Sequence, residues 1–305
     1  MNTPSNAMPE SPLDSQGIAP AAVSATQPLY WSVRRELWEN RYIYIVPLAV
    51  GAVTVFGFLI ATIGRAMAMP NPAQRLAILQ EPYSFATGLV MAATFVVGIL
   101  YCLDALHGER RDRSILFWKS LPVSDLTTVL SKASIPLAVL PLLTLGIVVA
   151  TQWIMMLLSS LVLLGSGLSV AMLWAKLSLP EMWLMLLYHT VTVHVFWYAP
   201  IYAWLLLVSG WARRAAFLWA VLPAAAIGIV EKVAFNTSHF AAWLQYRLSG
   251  PEHFDFPAAG HSASDVMMHL NLGTFLSTPG LWIGLAVAAA LLAAAVRLRR
   301  YQGPI

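Results

Sequence analysis

Charge is what this sequence has least of. Of its 305 residues, 14 are Asp or Glu and 18 are Lys or Arg, 10% together, while 59% are hydrophobic and the mean hydropathy is +0.69. Soluble domains carry roughly 25% charged residues. A water-facing globular surface is therefore excluded, and the useful unit becomes the apolar span of about 20 residues. Cysteine is almost absent: Cys102 stands alone in an apolar run, so no intrachain disulfide is possible and the residue reads as a small buried hydrophobe. Residues 1–27 hold no Lys, no Arg and no apolar run. They are expected to be a disordered tail and not a cleavable secretory signal.

The signatures of chemistry are missing too. There is no Gly-Lys pair and hence no phosphate-cradling P-loop, no H-E-x-x-H and no G-x-S-x-G. The chain is expected to be no enzyme by itself. Its net charge of +4 sits in the flanks of the apolar runs, which points to a membrane surface and not to nucleic acid.

What is present is a series of uncharged runs: about 43–63, 85–103, 133–158, 182–209, 215–230 and 278–296. The first, 21 residues long, reaches about 31 Å as a helix, enough to cross a bilayer core. Ser134 to Ala175 carries no charge at all and fits either one long span, bent at Pro136 and Pro141, or two tight ones. Charge bias separates these. Six spans with a cytoplasmic N-terminus put thirteen of the eighteen Lys and Arg inside, whereas seven put only eleven there. Six spans and two cytoplasmic termini are expected.

Three segments outside the spans, or polar within them, carry further information. Residues 28–42 place Tyr30, Val33 and Leu37 at i, i+3, i+7, with Trp31, Trp38, Arg34, Arg35, Glu36 and Glu39 around them; this predicts a helix lying in the interface, its charges on the wet side. The external segment 231–279 contains His239, His253, His261 and His269 at gaps that fit no metal-ligand spacing, so no metal is expected and a polar cap is. His189, His194 and Tyr198 give the fourth span polar groups at membrane depth. Two readings stand for them: packed or interface-anchoring side chains, or the lining of a substrate path.

The loop 104–132 between spans two and three is the most unusual stretch. Asp104, Glu109, Arg110, Arg111, Asp112 and Arg113 crowd together, and Ile115, Leu116, Phe117 and Trp118 follow at once. A short helix there presents charge and apolar bulk together, Leu121-Pro122 ends it, and Ser124 caps the next helix. Such a surface fits a groove on a soluble partner or lipid headgroups.

"GERRDRSILFWKSLPVSDLTTVLSK" resembles the cytoplasmic loop of the ABC-2 type permeases, the membrane subunits of bacterial ABC exporters. Glu109, Arg110, Asp112, Ser114, Leu121, Pro122, Val123, Ser124 and Lys132 carry the likeness. It departs at Arg113-Ser114, where many members show Gly-Thr. "WYAPIYAWLLLVSGWARR", from Trp197 to Arg214, is similar to a recurrent stretch of a proteobacterial branch. The resemblance implies an all-α integral membrane protein of six transmembrane helices, with an N-terminal interfacial helix and a short cytoplasmic coupling helix between spans two and three. It implies a multi-pass protein of the bacterial inner membrane that pairs with a second permease copy. A separate ATPase, holding ATP and Mg, would dock on Glu109, Arg110, Asp112, Arg113, Ile115, Phe117, Trp118 and Pro122. The interfacial helix, through Trp31, Arg34, Arg35 and Trp38, would assist.

Two other classes compete. An autonomous ion-coupled carrier calls for internal repeats and broken helices at a midplane site, and a scaffold or sensor would use the loop without moving cargo. Spans rich in Trp, Met and Leu lean toward an amphipathic cargo over a small ion.

Overall fold

The computed structural model describes residues 26–305, except 69–70, 72–73, 75–77, 80–81, 166–169 and 250–271. The described residues contain helices and no strand. A leading helix α1 (Thr26–Glu39) precedes α2 (Tyr42–Gly57), which widens into a π-helical turn, Phe58–Ile63, before the short α3 (Gly64–Ala68). Then follow α4 (Pro82–Ala105), α5 (His107–Arg111), α6 (Ser114–Ser120) and α7 (Asp125–Ser134). A second π segment, Ile135–Val139, joins α7 to α8 (Leu140–Gly165). After α9 (Val170–Lys176), α10 (Leu179–His189) runs into a third π segment, Thr190–Trp197, and α11 (Ala199–Trp211). The chain closes with α12 (Ala216–Phe235), α13 (His239–Ser249), α14 (Leu272–Ser277) and α15 (Pro279–Tyr301).

Among the described residues, five helices are long and apolar enough to cross a membrane: Tyr42–Ala61, Pro82–Arg111, Asp125–Gly165, Ala216–Phe235 and Pro279–Tyr301. A sixth candidate is the pair Leu173–Trp197 and Ala199–Trp211, bent by 44° at its break. Their outward faces carry bare apolar bulk, such as Val53, Phe56, Ile60, Leu142, Ile229 and Val233. Exposed apolar surface on that scale marks a membrane protein.

Asp125–Gly165 is one continuous stretch of 41 residues, so the uncharged run from Ser134 is a single long helix as far as Gly165. Its widened turn at Ile135–Val139 comes just before Pro141, whose ring lacks an N–H and crowds the carbonyl four residues back. The break at Tyr198 has the same cause, since Pro200 cannot donate to Phe196.

The core lies between α2, α4, α8, α11 and α15, and Cys102, fully buried, is part of it. Gly51 lets α2 approach α8 closely, because a Cβ there would meet Ile147 at 3.0 Å and Thr151 at 3.1 Å. Buried Gln152 ties α8 to two neighbours: its amide donates to Thr87 Oγ1 at 2.9 Å, and its carbonyl accepts from Trp183 Nε1 at 2.7 Å. Such a satisfied polar group fixes the register of otherwise slippery apolar helices.

Candidate functional site

Charged residues that the sequence scatters from Arg35 to Arg299 meet at one end of the bundle, where α1, α5, α7 and α15 converge. Glu36, near the end of α1, is fully buried. Its carboxylate accepts from Lys132 Nζ at 2.8 Å, from Tyr101 hydroxyl at 2.8 Å and from Arg35 Nη2 at 2.5 Å. Glu109, on α5, is 7% exposed and takes Lys132 Nζ at 3.0 Å, Arg35 Nη2 at 3.1 Å and Arg299 Nη1. The Arg299 Nε also lies 3.3 Å from Asp125 Oδ1, in the first turn of α7. Glu36, Glu109 and Asp125 thus face three cations, Arg35, Lys132 and Arg299, most of them out of water, and a fourth carboxylate, the exposed Glu39, reaches Arg35 Nε at 3.7 Å from the rim. Burial works against the Glu36 carboxylate, but the neighbouring Lys132 and Arg35 charges outweigh it and hold that carboxyl below its ordinary range.

Local sequence explains how these side chains get there. α4 ends at Ala105, and the freed N–H groups of Leu106 and His107 both donate to Ser209 Oγ, at 3.0 and 2.9 Å, so α11 caps the start of α5. Arg110 then reaches the carbonyl end of α11, donating to Gly210 O at 2.6 Å and Ala212 O at 3.3 Å, where a cation suits the helix dipole. The Ile305 N–H donates to Arg110 O at 3.2 Å, and Arg110 Nε to Gly303 O at 3.2 Å, which folds the C-terminal residues against α5. Arg113 adopts a left-handed conformation, φ 60°, and turns the chain into α6. α6 stops at extended Leu121, and Ser124 caps α7 by accepting from Thr127 N at 3.0 Å, as the sequence suggests.

The loop residues therefore divide. Glu109, Arg110 and Ile115, expected on a docking surface, are buried against this chain's own helices, and the Glu and Arg charges meet partners on α1, α7, α11 and α15. Asp112, Arg113, Phe117 and Pro122 are exposed, with Leu116 and Leu121 beside them. Trp118 is half-buried, its ring 3.9 Å beneath the Arg35 guanidinium. In α1, Trp31 and Trp38 are exposed and Arg34 lies over both rings, but Tyr30 is exposed as well, and Glu36 points inward instead of to the wet side.

His189, His194 and Tyr198 come together. The His194 ring lies 5.4 Å from Tyr198, 6.3 Å from His189 and 6.2 Å from Phe95, and neither of its nitrogens has a hydrogen-bond partner. Among the described residues no group of three His, Cys, Asp or Glu is placed to hold a metal; His253, His261 and His269 lie outside them.

Sequence reasoning missed Glu36 and Arg299 as buried charges. For Arg299 a signal existed: it extends the buried stripe of Leu281, Gly284, Ala288 and Ala295 by one more helical step.

Against known proteins, the chain matches no family model, no curated protein and no solved structure.

Proposed function

We propose that this chain is the transmembrane permease subunit of an ATP-driven exporter of the ABC-2 type, resident in the bacterial inner membrane with both termini cytoplasmic. In this reading the bent pair counts as the fourth of six spans, α1 lies in the cytoplasmic interface on Trp31 and Trp38, and α6 is the coupling helix. A second copy of the chain completes the pathway, and a separate ATPase supplies ATP and Mg.

One observation carries the reading: α6 presents exposed Leu116 and Phe117, 59% and 60% accessible, on the same short helix whose Trp118 ring packs against Arg35 of the buried ion cluster. Force applied to that surface enters α5 through Ser114, whose hydroxyl contacts Glu109 O at 3.4 Å. From Glu109 it passes by short ion pairs to Lys132 at the foot of the third span, to Arg299 at the end of the last, and to Arg35 beside the first. An apolar patch beside a rigid polar joint suits a docking helix that must move spans without itself unfolding. Arg113, where the likeness departs, adopts the left-handed φ that the glycine of many ABC-2 permeases would accommodate.

The mechanism follows from that geometry. Closure of the ATPases would tilt α6, and the cluster would convey the tilt to several helices at once. The widened turns at Ile135–Val139 and Thr190–Trp197, where the backbone ladder is already loosened, are the places for the spans to bend.

The test is co-purification with an ATPase encoded beside this chain. Leu116→Ala with Phe117→Ala should abolish it while leaving the ion cluster and the fold intact; an undiminished complex would sink the docking assignment.

A further inference from the structure

At the opposite end of α15 lies a second buried charge, with quite different company. Arg247, on α13, is 5% exposed. The helix that carries it is anchored by Glu231, whose carboxylate accepts from Thr237 Oγ1, His239 N and Phe240 N at 2.8, 2.6 and 2.8 Å. The Arg247 guanidinium lies 4.4 Å over the Trp197 ring and donates from Nη1 to Gly280 O at 3.2 Å. Its Nη2 has no hydrogen-bond partner, and no ion pair to it exists among the described residues.

The surroundings make this cation more anomalous. α15 begins at Pro279 with Thr278 at its N-cap, but the Thr278 hydroxyl donates to Thr274 O and caps nothing. The positive end of a 23-residue helix is therefore left beside a guanidinium. Gly284 makes the approach possible, since a Cβ there would fall 1.8 Å from Nη2. Tyr198 donates to the carbonyl of Leu248, next to Arg247, and meets His194 edge to face, so the unpartnered His194 ring belongs to the same junction. Among the described residues, these two positive elements in an apolar, aromatic setting have no negative charge against them.

We propose that Arg247, with the uncapped start of α15, is the headgroup anchor for an amphipathic anion, a phosphate-type oxyanion carried on an apolar tail. The planar guanidinium offers Nη2–H to the oxyanion, the helix terminus adds its dipole, and Trp197 and Tyr246 form the apolar wall. This deepens the exporter reading by naming the chemical class of its cargo, and it rests on that reading only for calling the anion cargo.

The test uses the full chain in zwitterionic nanodiscs, with thermal stability followed as dioctanoyl phosphatidate is titrated in. Saturable stabilisation is expected, weakened about tenfold or more by Arg247→Met and by Gly284→Ala, which displaces the guanidinium without removing its charge, and largely kept by Arg247→Lys. Equal affinity in wild type and Arg247→Met would overturn the proposal and leave Arg247 as a structural clamp on Trp197. Equal binding of dioctanoyl phosphatidylcholine would show recognition of the tail alone, and equal binding of inorganic phosphate would remove the amphipathic requirement; either contradicts the proposal. Should the Met variant fail to fold, Gly284→Ala against Arg247→Lys decides the matter. Phosphatidate binding without ATPase capture would sink the exporter reading alone, and capture without binding would sink only this one.

Discussion

The two ends of α15 solve the problem of a buried arginine in opposite ways. Arg299 sits between Glu109 and Asp125 in a cluster where every buried charge has an opposite partner, whereas Arg247 lies against the start of the same helix with a carbonyl and an indole for company. A compensated ionic cluster is costly to break, because removing one member strands its partners out of water. An uncompensated cation is costly to keep, and removing it relieves desolvation even as a contact is lost. The first arrangement holds helices together; the second waits for a counter-charge.

The largest expected effect follows from stranding a charge. Lys132→Met leaves Glu36 and Glu109 facing each other with one cation fewer and should destabilise by about 3–5 kcal/mol, seen as a drop of several degrees in thermal midpoint. Arg247→Met, measured in the same lipid without added anion, should change stability by no more than about 1 kcal/mol, since a cation–π contact is lost and a desolvated charge is removed. If both variants lost stability equally, the contrast between the two ends would be void.

Acid should find the same weak point. The Glu36 carboxyl is held below its ordinary value of 4.5, so its contribution is fully present above that pH and is lost as pH falls through the lower folded value. Compared by melting as a function of pH, the stability contributed by Glu36 should stay constant from neutral pH to about 4.5 and fall below it. Lys132→Met removes a main cause of the lowering and should move that acid transition upward. A pH profile unchanged by the variant would detach Glu36 from Lys132.

The smallest effect is at Arg113. A non-glycine residue at φ 60° carries a backbone penalty of about 1 kcal/mol, which Arg113→Gly should relieve in part, offset by the greater freedom of glycine in the unfolded chain. A slight rise in thermal midpoint with unchanged ATPase capture is expected. A fall would mean that the exposed Arg113 side chain makes a contact that matters more than its backbone.

Much of this molecule could be read from the sequence, and the places where reading failed have a common cause. The uncharged runs located the long apolar helices, because hydrophobic length is a local property, but not their ends: Asp125–Gly165 extends the run 133–158 by seven or eight residues on each side. Ser124 as a cap and Leu121-Pro122 as a breaker were legible for the same reason. Glu36 was not. An amphipathic pattern assigns every charge of α1 to water, and only Lys132 and Tyr101, distant in sequence, make an inward carboxylate tolerable. Likewise Glu109 and Arg110 looked like half of a surface helix, yet their partners arrive from α1, α7, α11 and α15. Arg247 lay in what reads as an external polar cap, and nothing near it in sequence announces that Gly280 and Gly284 will receive it. Charges whose partners are tertiary are the part of a membrane chain that local pattern misplaces.

As the proposed coupling helix, α6 should face the cytoplasm and bear on a partner ATPase. Phe117→Cys tests both at once, since the one native cysteine, Cys102, is fully buried and should stay unlabelled. A membrane-impermeant maleimide should label the variant in inside-out membrane vesicles and not in right-side-out ones, and the co-expressed ATPase should protect it. Labelling from the outer face, or labelling that the ATPase leaves unchanged, would contradict the account.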